Sequence, residues 1–74
     1  MKTYDAKDIL EYTVMLVGEF ARRHGLTERQ AFSYISRFKG MPYILEGYDA
    51  LHTLSLDDGL ADVAAICKRN GGAL

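Results

Sequence analysis

The residue best suited to chemistry in this 74-residue chain is His52. It lies in Tyr48–Asp58, YDALHTLSLDD, between Leu51 and Leu54, with Asp49, Ser55, Asp57 and Asp58 close by in sequence. An imidazole beside carboxylates can move protons, ligate a metal or contact a partner. Set between two leucines, the same ring can instead be a buried strut. It would then hydrogen-bond to backbone or carboxylate and hold a helix junction in one tautomer. The apolar flanks favour the strut. Asp57 and Asp58 have a simpler use, since acids at a helix start favour its dipole and cap.

Other chemistry finds less support. A metal site draws several His, Cys or carboxylate ligands to one point. The supply is His24, His52, Cys67 and scattered acids, with no Cys-x-x-Cys and no histidine pair one helical turn apart. Cys67 falls on an apolar stripe and reads as core packing. Nothing in its sequence surroundings activates it as a nucleophile. There is no glycine-rich phosphate loop and no nucleophile elbow. The expectation is a non-enzyme with no catalytic residues, metal, cofactor or small-molecule substrate.

Nucleic acid is the alternative with most in its favour. Gly25–Gly40, GLTERQAFSYISRFKG, has the capped, glycine-flanked form of a helix-turn-helix segment, and Arg22, Arg23, Arg29, Arg37 and Lys39 could face phosphates. Against this, nine Lys+Arg meet ten Asp+Glu, for a net charge of -1. Glu19, Glu28, Glu46 and the Asp57–Asp58 pair dilute any basic patch. A helix-turn-helix regulator using Arg29, Arg37 and Lys39 therefore stands second.

The elements that must position these residues are helical throughout. Asp5 suits an N-cap, with Asp8 in the first turn. Ile9, Thr13, Leu16 and Phe20 recur at helical spacing, and so do Leu10, Val14, Val17 and Ala21. Two adjacent rows make a wide apolar face, so this helix should be the spine of the core. Arg22, Arg23 and His24 load its last turn, and Gly25 is a natural left-handed stop. Thr27 opens a second helix with Gln30 completing a capping box and Leu26 stapling onto Ala31. Its inner stripe is Ala31, Tyr34, Ile35 and Phe38, and Gly40 should end it, Pro42 barring its continuation. Pro42 suits the first position of a short middle helix, roughly 42–46, which Gly47 breaks. Tyr48–Leu51 can add a turn, and His52–Leu54 look extended. Ser55 caps a last helix carrying Leu56, Leu60, Val63, Ala64 and Cys67, with Asp58 at the capping-box position. Gly71 and Gly72 stop it after Lys68 and Arg69. The fold class is all-α, a small single-domain bundle of three to four helices with a short middle helix. It covers 1–74, with 1–4 and 71–74 expected to fray.

Size and composition bound the rest. Hydrophobic residues at 49% and charged residues at 26% describe a globular chain with one core. Small domains need extra stability from disulfides, metals or association. The single cysteine excludes an internal disulfide and suits a reducing compartment. Association is left, and a homodimer is the expected assembly. No apolar run follows Met1-Lys2-Thr3-Tyr4-Asp5, and the longest apolar stretch is Val14–Val17. The expected location is cytoplasmic, away from membranes. Five tyrosines and three phenylalanines are numerous for this length. Either they supply an interface or they rim the core with hydroxyls in water. Tyr43, Ile44 and Leu45 in the short middle helix, with Tyr48, are the candidate partner-binding surface.

The order of helices around Tyr-x-x-Leu-His-Thr resembles a short bacterial family, domain of unknown function thirty-seven-ninety-one. Tyr48, Leu51, His52, Thr53, Ser55 and Asp62 match its hallmark, and Asp58 joins the structural motif. Tyr43-Ile44-Leu45 fits the tyrosine and leucine that precede it. The likeness spans roughly Ile9–Gly71. Leu54 departs from it, standing where many relatives carry a polar residue. The resemblance implies no established activity. It implies a small accessory protein, antitoxin-like in setting, since some relatives lie beside genes for ADP-ribosyltransferase-like proteins. The leading expectation is a non-enzymatic, self-associating interaction module that meets a protein partner.

Overall fold

A computed structural model describes residues 4–74. Among them the chain forms five α-helices and no strand. They are α1 (Ala6–His24), α2 (Glu28–Arg37), α3 (Gly40–Glu46), α4 (Tyr48–Leu51) and α5 (Leu56–Arg69). The expected all-α single-domain bundle is what forms, the possible extra turn after Gly47 being the four-residue α4. None of these helices is long and apolar enough to cross a membrane.

Helix α1 packs on α2, α3 and α5, and α3 bridges α2 and α5. The core is Leu16, Val17, Phe20 and Ala21 of α1, Ala31 and Ile35 of α2, Ile44 of α3, Leu51 of α4, and Leu60, Val63 and Cys67 of α5. Thr13 is buried beside it, its hydroxyl donating to the Ile9 carbonyl at 2.7 Å. Local signals fix most of the ends. Gly25 takes φ 66 after α1, and Thr27 and Gln30 form the expected capping box. Ser55 Oγ accepts from the Asp58 N–H at 3.1 Å at the start of α5. Asp5 stands at the N-cap of α1, but its side chain makes no capping bond.

Four expectations about the fold need correction. First, Leu10 and Val14 are not core. They are 62% and 55% exposed, because the short neighbouring helices cover only part of the apolar face of α1. Second, α2 ends at Arg37, and the left-handed residue after it is Lys39, φ 69. Gly40 opens α3 instead of ending α2. An added Cβ there would lie 2.7 Å from Ile35 Cγ2 and 3.0 Å from Cys67 Sγ. Glycine is needed at 40 for close approach, so the turn conformation falls to Lys39. Pro42 is then third in α3, still within the first turn, where a missing N–H breaks no helical bond. Third, residues 52–54 form a turn, Thr53 N–H donating to Ala50 O and Leu54 N–H to Leu51 O. Fourth, the C-terminal end folds back. Gly71 takes φ 103, Gly72 N–H donates to Cys67 O at 2.8 Å, and Leu74 N–H donates to the Tyr34 hydroxyl at 2.9 Å. The fraying expected at 71–74 gives way there to a packed turn. At the other end residues 1–3 lie outside the described residues, while the Tyr4 ring meets Tyr48 and His52 edge-on.

Two glycines give a paired test. Gly40→Ala forces a methyl into the α2–α3–α5 seam and should lower stability by about 1–3 kcal/mol. Gly18→Ala sits in α1 with nothing within 4 Å of an added Cβ. It should raise stability by about 0.5–1 kcal/mol. Urea midpoints measure both; a Gly40→Ala midpoint at or above wild type would contradict the close-packed seam.

Candidate functional site

The Tyr48–Ser55 segment closes on itself. The Nδ1 of His52 lies 2.6 Å from the carbonyl oxygen of Tyr48. A carbonyl only accepts, so Nδ1 carries the proton and donates it. The ring stacks on Tyr48 with centroids 4.4 Å apart and planes at 5°. Tyr4 meets both rings edge-on, and Tyr12 meets Tyr48 likewise at 5.3 Å. Thr53 Oγ1 donates to the Ala50 carbonyl at 2.6 Å. Tyr48 and Leu51 are buried, whereas His52 is half-buried. Every polar residue from His52 to Ser55 thus satisfies a backbone group at the α4–α5 junction. His52 makes the backbone bond expected of a strut, but its ring is half-buried where a fully enclosed one was expected.

The remaining nominated residues scatter. Asp49 and Asp58 are exposed, Asp58 serving the Ser55 cap through its backbone. Asp57 pairs with Arg23 at 2.6 Å, tying the end of α1 to the start of α5, and Arg22 pairs with Glu19. Arg37 lies over the Phe38 ring at 5.5 Å. The His24 ring lies tilted against Phe20, with centroids 4.2 Å apart and planes at 34°. No three His, Cys, Asp or Glu residues among those described are placed to share a metal.

The aromatic residues rim the core. Tyr34 packs between Phe20 and Phe38, and its hydroxyl contacts Leu74. The Tyr43 hydroxyl donates to Asp62 Oδ2 at 3.2 Å, and that of Tyr12 to the Leu51 carbonyl at 3.4 Å. The expected binding surface on the middle helix therefore breaks up. Ile44 is fully buried, because α3 turns its apolar side onto α2 and α5, and Tyr48 of α4 is nearly so among the rings of Tyr4, Tyr12 and His52. Tyr43 is half-buried and tied to α5, which leaves Leu45 alone in the open.

Burial raises the pKa of several groups and so keeps them protonated. It pushes the Cys67 thiol up, partly offset by a backbone hydrogen bond from Gly40. It also pushes up Tyr12, Tyr43 and Tyr48, with Asp62 adding to the effect at Tyr12 and Tyr43 and Asp8 at Tyr48. A thiol held protonated and buried is a poor nucleophile.

Three of the exposed large apolar residues gather elsewhere, while Met15, Leu45, Leu54 and Leu56 lie outside that group. Leu10, Thr13, Val14 and Val17 of α1 and Glu28, Arg29 and Phe32 of α2 line a groove of about 390 Å³. Leu10, Val14 and Phe32 are each more than half exposed. Sequence reasoning passed over this face, but a signal was there. Phe32 lies off the Ala31–Tyr34–Ile35–Phe38 stripe, and α1 carries a second apolar row beside the one its neighbours bury.

Two measurements test the junction and the buried groups. His52→Ala removes the bond to Tyr48 O and the stacked ring, and should lower stability by about 1–3 kcal/mol. An unchanged melting midpoint would contradict the strut. Alkaline pH is the second probe. The unfolded thiol ionises near pH ~8.5 and the phenols near pH ~10. With folded values raised, the unfolded state releases protons first. The contribution is full below these values and is lost as pH climbs through them and through the raised folded values. Stability measured from about pH 8 to about pH 11 should fall throughout; a flat profile would contradict the burial of these groups.

No curated protein and no solved structure matches the chain. The family described as Protein of unknown function (DUF3791) does match, over residues 11–70. That span runs from the core stripe of α1 to the end of α5 and includes the whole Tyr48–Ser55 junction. The chain belongs to this family.

Proposed function

We propose that this chain is a non-enzymatic protein-interaction module that docks through the α1–α2 groove. The observation that carries the reading is the exposure of Leu10, Val14 and Phe32 around one concavity. Three large apolar side chains at one place form the kind of surface that partners cover. Isolated exposed leucines such as Leu45 need no such explanation. The reading also fits the internal use of the reactive residues, since His52, Tyr43 and Ser55 each serve a structural hydrogen bond. It moves the docking face from the middle helix, where Ile44 is core, to the first helical pair. The resemblance supplies a setting for the module: the cytoplasm of a bacterium, as an antitoxin-like accessory to an ADP-ribosyltransferase-like protein.

Tagged chain recovered from its native host tests the proposal, with Val14→Asp and Phe32→Ala beside wild type. Both sites are exposed, so both variants should keep stability within about 0.5–1 kcal/mol of wild type. The expected result is a stoichiometric protein companion, or a second copy of the chain, that both variants lose. A companion retained by both would sink the assignment of the face. Duplex DNA recovered instead, with binding that weakens steeply in salt, would favour the helix-turn-helix reading.

A further inference from the structure

We infer that the occupant of the α1–α2 groove is a second copy of this chain, in a two-fold dimer with reciprocal Glu28–Arg29 pairs. The inference rests on the docking face proposed above and names what covers it.

Charge complementarity carries it. Glu28 and Arg29 are consecutive, exposed and both on the groove. The ion pairs among the described residues are Arg22–Glu19, Arg23–Glu19 and Arg23–Asp57, so neither Glu28 nor Arg29 has a charged partner among those residues. A two-fold axis sets a surface against itself, so residue i meets j and j meets i. A patch with one acid and one base side by side is matched to its own copy, whereas a patch of one sign would repel it. The apolar part beside these charges is a hollow walled by Leu10, Val14 and the exposed Phe32 ring.

Area agrees. A dimer at the small end of the stable range covers about 600 Å² on each copy, roughly an eighth of this chain's 4925 Å² surface. Helix α1 has 19 residues, a length of about 28 Å, and runs beside α2 along a body only 36 Å in its longest extent. The groove occupies the Leu10–Val17 part of that helix and the first turns of α2, so a dimer would extend beyond its rim. A domain of this size also gains proportionately more from association than a large one does.

Sedimentation velocity across a concentration series is the test, on wild type, Glu28→Arg, Arg29→Glu and the double swap Glu28→Arg/Arg29→Glu. Wild type should pass from monomer to dimer as concentration rises. Each single swap places like charges across the axis and should weaken the dimer by about tenfold or more. The double swap restores opposite pairing and should bring the dimer back to within a few-fold of wild type. Melting midpoints of the four proteins separate weakened assembly from weakened folding. A double swap no stronger than the singles would overturn the reciprocal pair. A wild type that stays monomeric into the millimolar range would overturn the dimer. If that monomer still holds a host protein through Val14 and Phe32, the docking face survives with a different occupant. If it holds nothing, both readings fall.

Discussion

Helix α1 presents more apolar surface than the rest of the chain can cover, and the architecture follows from that mismatch. One row, with Thr13, Leu16 and Phe20 fully in and Val17 and Ala21 beside them, receives α2, α3 and α5. The N-terminal half of the adjacent row, Leu10 and Val14, stays more than half exposed among the described residues. Burial of apolar side chains is the main favourable term in folding, at roughly 25 cal/mol per Å². A helix that leaves two such side chains and a neighbouring phenylalanine in water forgoes that gain in the monomer. The gain is then available to whatever docks there.

The reactive residue types serve to hold short helices together. Helices α3 and α4, of seven and four residues, are too short to be stable alone, since nucleation costs more than a few backbone bonds return. They are held by tertiary contacts: Ile44 in the core, Gly40 pressed on Ile35 and Cys67, and Tyr43 bonded to Asp62. The turn between α4 and α5 is closed by His52 and Thr53 bonding back to the turn before them, and Ser55 starts α5. The Tyr-x-x-Leu-His-Thr pattern thus has a physical account as a junction. Its leucine fills the core, its tyrosine and histidine stack, and its threonine satisfies a carbonyl.

Much of this was legible in the residues because it is local. The Thr27 and Ser55 caps, the Gly25 stop and the period of α5 depend on neighbours within a turn or two in sequence. What escaped depends on contacts between distant segments. Gly40 reads as a helix stop by its type, and only the approach of Ile35 and Cys67 shows that it opens α3. Ile44 reads as surface because its helix is short, and only the bridging position of α3 buries it. Leu10 and Val14 read as core because their spacing is helical. Periodicity gives the width of an apolar face and not how much of it other elements reach. The family assignment was legible as well, and the match spans residues 11–70.

The central claim is that the Leu10–Val14–Phe32 face is covered by protein in the cell. Photo-crosslinking tests it most directly, with a light-activated residue placed at position 32 and, as a control, at exposed position 68, expressed in the native host. The account predicts an adduct from position 32 alone, at twice the 8.3 kDa chain mass where the partner is a second copy. Illumination that yields no protein adduct from position 32, or equal adducts from both positions, would contradict it.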